Sequence, residues 1–216
     1  MDRQNIRLTV DAIVFGVRKG ELHILLVKRK KEPYRGEYAL PGGFVYDSES
    51  LKEAVLRELE EETNIKDVFV KKLTAYGDVK RDPRGRIVTV AYLALIDAEK
   101  YELKSRADAL LAEWQPVSGA RKLAFDHHHI LQEALQELRL EVQTTNLAAQ
   151  LLPKAFALSE LQSVYESILG RKLDKRNFRK RVKALGILQE TRQMRMEGAH
   201  RPAALYSYVK MRYCIT

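Results

Sequence analysis

Glu58, Glu61 and Glu62 are spaced i, i+3 and i+4, so on a helix they project from one face. Carboxylates crowded in this way repel one another unless a cation joins them, and hard oxygen ligands favour Mg2+ or Mn2+. Just upstream, Gly42-Gly43 lets the backbone approach closely, so a carbonyl there can complete the coordination. Such a cluster can bridge a metal to a diphosphate and activate water for its hydrolysis. A solvated acidic face is the plainer use of a Glu-rich helix. The glycine turn beside it, and the Leu51, Val55, Leu59 stripe on the opposite face, favour a site.

Two other clusters invite chemistry. The loop Arg81-Asp82-Pro83-Arg84-Gly85-Arg86 carries arginines on a glycine-bearing turn, and Arg84 and Arg86 suit bidentate contacts to phosphate. Lys175, Arg176, Arg179, Lys180, Arg181 and Lys183, with Asn177 among them, fall in one helical stretch. A helix this basic suits the DNA major groove, its arginines reading guanine, Asn177 adenine and its lysines the phosphates. The run His127-His128-His129 is declined as a metal site, because consecutive helical positions point about 100° apart. The lone Cys214 reads as a free thiol near a frayed end.

Charge separates the chain into two parts. Residues 1–150 hold 24 Lys and Arg against 24 Asp and Glu, whereas residues 151–216 hold 14 against 5 and carry the whole net charge of +9. An acidic partner is therefore expected for the last third alone, nucleic acid being the commonest. With 45% apolar residues the chain can bury one good core and a smaller second one. Apolar stretches such as Ala91–Ile96 are too short to span a bilayer, and the first five residues lack a signal-peptide core. The expectation is a soluble, cytoplasmic protein with no membrane partner.

The elements that must position these groups are legible as patterns. Leu8–Val14 and Leu22–Lys28 read as a hairpin, Pro33–Gly36 as a loop and Pro41-Gly42-Gly43 as a sharp turn. A helix runs from the capping box Ser50-x-x-Glu53 to Glu62. Strands follow at Val68–Tyr76, Ile87–Ile96 and Glu113–Val117, then a helix capped by Asp126 and running to about Glu141. Thr144-Thr145-Asn146 and Pro153 mark a boundary. Beyond it come a helix capped by Ser159, a helix from Asp174 to Gly186, and strands Leu188–Arg195 and Ala204–Val209 joined near Gly198. That order is the order of a winged helix, with Gly198-Ala199-His200-Arg201-Pro202 as wing tip and Arg201 on the backbone or in a minor groove.

Gly43-x5-Glu49-x7-Arg57-Glu58-Leu59-x-Glu61-Glu62-x-Asn64-Ile65 resembles the Nudix box, departing from it at Asn64 alone, where the family has Gly. Asn is the next best residue for a left-handed helix end, so the geometry should survive. The resemblance implies that Glu58, Glu61, Glu62 and the Gly42 carbonyl ligate metal and that Arg57 orients the glutamates. It also implies cleavage at a nucleoside diphosphate. The loop 81–86, followed by Val88-Thr89-Val90-Ala91-Tyr92, is similar to Nudix segments that use ADP-ribose, and Gly43, Phe44, Arg81, Arg84 and Arg86 become the expected ligand contacts.

Both halves together resemble the NrtR family, Nudix-related transcriptional regulators of NAD metabolism. The likeness includes Phe125-Asp126-His127, Phe156-Ala157-Leu158-Ser159-Glu160-Leu161-Gln162, Asp174–Lys180 and Arg201-Pro202-Ala203-Ala204-Leu205-Tyr206. It implies an α/β (α+β) Nudix mixed-sheet α/β/α sandwich over 1–145 and a C-terminal winged helix-turn-helix over 152–216. It further implies a homodimer on a palindromic double-stranded operator whose affinity ADP-ribose alters, through the 126–141 helix. Many members have lost box glutamates, and this chain keeps them. An ADP-ribose pyrophosphatase with an accessory winged helix and a sugar-responsive regulator are the other readings. Glu49, Glu99 and Glu102 stand equally as general bases.

Overall fold

The structure is a computed structural model and describes residues 5–104, 109–145, 147–195 and 202–209. The chain divides into two compact units, Met1–Arg18 with Leu22–Leu135, and Lys19–Glu21 with Gln136–Thr216.

The first unit is built on a mixed sheet. Strands β1 (Arg7–Arg18), β2 (Glu21–Arg29), β3 (Tyr38–Ala39), β4 (Gly42–Phe44), β5 (Lys71–Tyr76), β6 (Ile87–Leu95) and β7 (Ala109–Pro116) form it, with helix α1 (Leu51–Thr63) inserted after β4. The sheet order is β3-β2-β1-β6-β5, with β4 added to β1 and β7 to β2. β1 and β6 run parallel, Arg7 opposite Ile87 through Phe15 opposite Leu95. Val10, Ala12 and Val14 of β1 and Val90, Tyr92 and Ala94 of β6 form one core with Ala54, Val55 and Leu59 of α1. Their odd-numbered neighbours Ile13, Phe15, Leu93 and Leu95 turn to the other face by the pleat and are buried too. The sheet is thus covered on both sides, which is why β1 and β6 read as near-continuous apolar runs.

The capping box forms: Glu53 N–H donates to the Ser50 hydroxyl and Ser50 N–H to Glu53. Asn64 ends α1 at φ 65, the left-handed conformation expected of it. Several expectations need correction. Gly42–Phe44 is a short strand rather than part of a turn, because β1 offers it a pairing edge, and Tyr38–Ala39 pairs with β2 as a further short strand. β5 starts later than Val68 and β7 earlier than Glu113. Ser159 is not a cap: helix α3 (Leu158–Leu169) starts after Ala157, whose N–H is satisfied by the Glu160 carboxylate at 2.7 Å. Helix α2 (His127–Thr144) starts as expected after Asp126, but the Asp126 carboxylate binds Arg81 at both oxygens.

In the second unit, β8 (Phe156–Ala157), α3, α4 (Lys175–Ala184), β9 (Leu188–Arg195) and β10 (Ala203–Tyr208) follow in the order of a winged helix. The strands form one antiparallel sheet, β8-β10-β9. Phe156, Leu161, Val164, Tyr165 and Ile168 are buried with Phe178 and Val182, spaced to put both on the inner face of α4. Among the described residues no helix is long and apolar enough to cross a membrane.

Candidate functional site

Arg57 is the hub of the box helix. It donates to both Glu49 oxygens at 2.7 and 2.9 Å, to Glu58 at 2.8 Å, to Glu61 at 3.4 Å and to the Phe44 carbonyl at 3.0 Å. Its guanidinium lies 4.1 Å from the centre of the Tyr46 ring. The bonds from Arg57 hold Glu49 below the usual carboxylate range, which weakens it as a base. Glu99 and Glu102 are exposed and do not line the cavity described below.

Two carboxylates lie deeper. Glu58 packs over Gly43 so closely that a Cβ there would meet Glu58 Oε1 at 2.1 Å, and a Cβ on Gly42 would meet the Val10 carbonyl at 2.2 Å. Gly42, pressed by backbone, therefore excludes any side chain, whereas one at Gly43 would have to push the Glu58 carboxylate aside. Glu62 accepts from Gly42 N–H at 2.9 Å. Burial raises the pKa of Glu58, and burial, with Glu58 and Asp11 adjacent, pushes Glu62 up to about 8. A hard divalent cation would relieve both strains, and carboxylate oxygens are the donors it prefers, but among the described residues no three acidic or histidine side chains stand together to hold one, since Glu61 leans on Arg57 instead.

A stability prediction follows from Glu62. A carboxyl whose folded pKa lies above its unfolded value stabilises the fold below the unfolded pKa, and that contribution is lost as pH rises through about 8. The metal-free protein should lose melting temperature between about pH 5 and 8, and Mg2+ should restore it. Glu62→Gln keeps an acceptor for Gly42 N–H and should raise metal-free stability at pH 8 by on the order of 2–4 kcal/mol. A melting curve set in chelator that is flat with pH would overturn this.

Beside the carboxylates lies a cavity of about 400 Å3. Gly42, Gly43, Phe44, Glu58, Glu62, Arg81 and Arg84 line it, so most of the expected residues come together. Arg86 does not line it: its guanidinium turns to the Gly77 carbonyl. Glu61 is half-exposed at the edge of the Arg57 network. One wall is a stack that spacing did not reveal. In it Arg84 lies between Phe44 and Phe125 at 5.2 and 5.1 Å, and Arg29 lies 4.7 Å beyond Phe125; Arg7, which does not line the cavity, lies 4.8 Å from the Phe44 ring. Alternating guanidinium and aromatic faces offer both stacking area and positive charge, suited to a nucleoside diphosphate. Asp82 fixes Arg84 in it through bonds of 2.6 and 2.9 Å.

Arg81 sits in the floor rather than free in the cavity. Its buried guanidinium donates to Asp126 at 2.7 and 2.8 Å and lies 3.8 Å from Asp11. Asp11 accepts from the Thr89 hydroxyl at 2.7 Å. His127 is buried and its pKa is lowered by that burial. Its Nδ1 accepts from Leu40 N–H, so Nε2 carries the proton and faces Asp11 at 3.6 Å. His128 turns to the Ala120 carbonyl and His129 to Glu133, so the three rings diverge as helical geometry requires. Asp11, Arg29, Phe125 and His127 went unnamed as cavity residues. Asp11 had a signal: a carboxylate inside the apolar run Leu8–Val14 is costly unless paired.

In the second unit, Lys175, Arg176, Asn177, Arg179, Lys180 and Lys183 are all exposed on α4. Asp174 caps the helix by accepting from Asn177 N–H at 2.8 Å, while Phe178 and Val182 anchor the opposite face. The wing tip from Gly198 to Arg201 lies outside the described residues, as does Cys214.

A mixed sheet, a capped box helix over a glycine strand and a basic cavity define a Nudix domain, here joined to a winged helix. NUDIX domains match residues 6–138, and the NrtR DNA-binding winged helix domain matches residues 148–208. The ADPR responsive transcriptional repressor NtrR of Acinetobacter baylyi is 40% identical over 95% of this chain and 83% of its own. The structure of Shewanella oneidensis NrtR complexed with a 27mer DNA superposes with a TM-score of 0.81 at 35% identity, covering 93% of each chain. The NUDIX domain of that protein complexed with ADP ribose matches at 0.59 and 35%, covering 63% of this chain and 90% of its own. This chain belongs to the NrtR family. Nudix hydrolases in general work with divalent metal ions.

Proposed function

We propose that this protein is a cytoplasmic, homodimeric repressor of NAD-related genes that senses ADP-ribose in its Nudix cavity and binds operator DNA through α4. The carrying observation is the exposed row Lys175, Arg176, Asn177, Arg179, Lys180 and Lys183 on a helix anchored by Phe178 and Val182, in a chain that also keeps an intact box. Lysines and arginines on one face neutralise phosphates, and Asn177 offers a bidentate edge for adenine. In the Nudix cavity, the Phe44–Arg84–Phe125–Arg29 stack suits the base and the diphosphate. Glu58, Glu61, Glu62 and the Gly42 carbonyl would hold Mg2+ or Mn2+. A bound divalent ion supplies charge neutralisation to the diphosphate and acidity to water. Arg57 keeps the glutamates aligned.

The decisive measurement is a titration of ADP-ribose into the complex with upstream DNA, with and without Mg2+, following DNA affinity and AMP together. Salt-sensitive, sequence-selective binding that shifts severalfold with ADP-ribose is the expected result, a coupling of about 1–3 kcal/mol. Binding that ignores sequence overturns the regulator, and binding that ignores ADP-ribose overturns the sensor.

The unbroken glutamate set also favours retained hydrolysis, giving AMP and ribose 5-phosphate and clearing the signal. Mg2+-dependent AMP release that disappears in Glu62→Gln supports this second reading, and no turnover by the parent protein removes it.

A further inference from the structure

Asp11 and His127 meet in the Nudix cavity without bonding to each other. Asp11 Oδ1 and His127 Nε2 lie 3.6 Å apart, beyond the reach of an N–H···O bond. The other half of each side chain is committed. Asp11 Oδ2 accepts from the Thr89 hydroxyl at 2.7 Å, and His127 Nδ1 accepts from Leu40 N–H at 3.0 Å. Burial keeps the ring neutral, so Nε2 bears its one hydrogen, with no acceptor in bonding distance among the described residues.

Both residues line the cavity, although their side chains are only 5% and 8% exposed, His127 and Asp11 in turn. Neither atom is among the polar atoms of the described residues that are both sealed and unpartnered, so each keeps a face to the cavity. A Cβ on Gly42 would stand 2.7 Å from Oδ1, so the glycine leaves that oxygen uncovered.

One free donor beside one free acceptor selects a chemistry. A phosphate oxygen could take the Nε2 hydrogen but would meet the Asp11 charge. An ammonium could satisfy Asp11 but accepts nothing, and a metal ion would face an N–H. A hydroxyl does both, donating to Oδ1 and accepting from Nε2–H. Position narrows the source. Gly42 presses on Asp11 and donates to Glu62 at 2.9 Å, so the pair adjoins the box carboxylates. In a sugar-linked nucleoside diphosphate held there, the sugars come next to the phosphates and the base lies farther off.

We propose that Asp11 and His127 read one ribose hydroxyl of the bound nucleoside diphosphate and so select a ligand that keeps it. This rests on the reading of the cavity as an ADP-ribose site. A ligand without that hydroxyl leaves two buried polar groups unpaired, a heavier penalty than one missing bond.

Calorimetric titration of the full-length protein in Mg2+ tests the pair, using ADP-ribose with a methylene-bridged diphosphate so that nothing is hydrolysed. Analogues lacking a single hydroxyl, on the adenosine ribose or on the terminal one, form the comparison. One of them should bind at least about tenfold more weakly, and which one names the ribose that is read. His127→Asn can keep an acceptor for Leu40 N–H while removing the Nε2 hydrogen. It should lose about tenfold toward the full ligand and no longer distinguish that analogue. Asp11→Asn can set an amide donor in place of Oδ1 and should lose the distinction too. The ratio between two ligands is internal to each variant, so a loss of stability does not imitate it. Equal binding of every deoxy analogue, or a His127→Asn variant that still distinguishes them, would overturn the proposal. So would a distinction between adenine and hypoxanthine ligands that His127→Asn abolishes, since the pair would then read the base. No binding of the full ligand by the parent protein is a different result, which overturns the ADP-ribose reading itself.

Discussion

Replacing Arg176, Arg179 and Lys180 together by alanine should weaken operator binding by at least about a hundredfold at physiological salt. The three side chains are exposed, on a helix whose cap, Asp174, and anchors, Phe178 and Val182, are untouched. Alanine is the best helix former, so α4 should persist and the melting temperature should change little. Each phosphate contact removed lowers the slope of log K against log salt by roughly one unit. The slope should therefore flatten as affinity falls, whereas simple unfolding would abolish binding at every salt. Asn177→Ala should behave differently, relaxing preference at one base pair at a cost of about 1–3 kcal/mol and leaving the slope alone. An unchanged slope in the triple variant would place the DNA surface elsewhere.

Arg81→Ala carries the largest stability cost expected in the first unit, about 3–5 kcal/mol, because it leaves two carboxylates without their shared cation. The Arg81 side chain is 3% exposed and the Asp11 side chain 8%, so water screens the pair poorly. Burial alone would lower the pKa of Arg81, yet Asp126 and Asp11 outweigh it and raise the balance. Arg81→Lys keeps the charge but cannot reproduce the two-bond fork to Asp126, so it should fall between the parent and alanine. Urea unfolding followed by circular dichroism reads this directly. A loss under about 1 kcal/mol for alanine would mean that Asp11 and Asp126 are stabilised by their other neighbours. Because Asp126 immediately precedes α2, the same variant should also blunt any ADP-ribose effect on DNA affinity.

Features set by local sequence are in place. The capping box, the left-handed Asn64 and the shared face of Glu58 and Glu62 depend on residues close together in the chain, and helical geometry alone relates them, whereas the approach of Glu62 to Gly42 needs α1 packed against β4. Gly42–Phe44 is a strand although a glycine pair ordinarily marks a turn. Here Gly42 is needed since the Val10 carbonyl of β1 presses directly on it, and Gly43 leaves the Glu58 carboxylate its place. Arg81 and Arg86 looked equivalent on one loop, and only packing separates them. One is buried between two aspartates, while the other leans on the Gly77 carbonyl.

The metal-type carboxylate helix, its separation from a basic helical unit and the likeness of both to one family were determined by sequence alone, since period, spacing and charge are properties of short segments. Tertiary structure decided the rest. Asp126 and Arg81 stand 45 residues apart, Thr89 and Asp11 stand 78 apart, and the arginine–aromatic stack draws on five separate segments. Burial selects such partners. A charge taken from water must find its opposite wherever the fold brings one, and spacing along the chain carries no record of that choice.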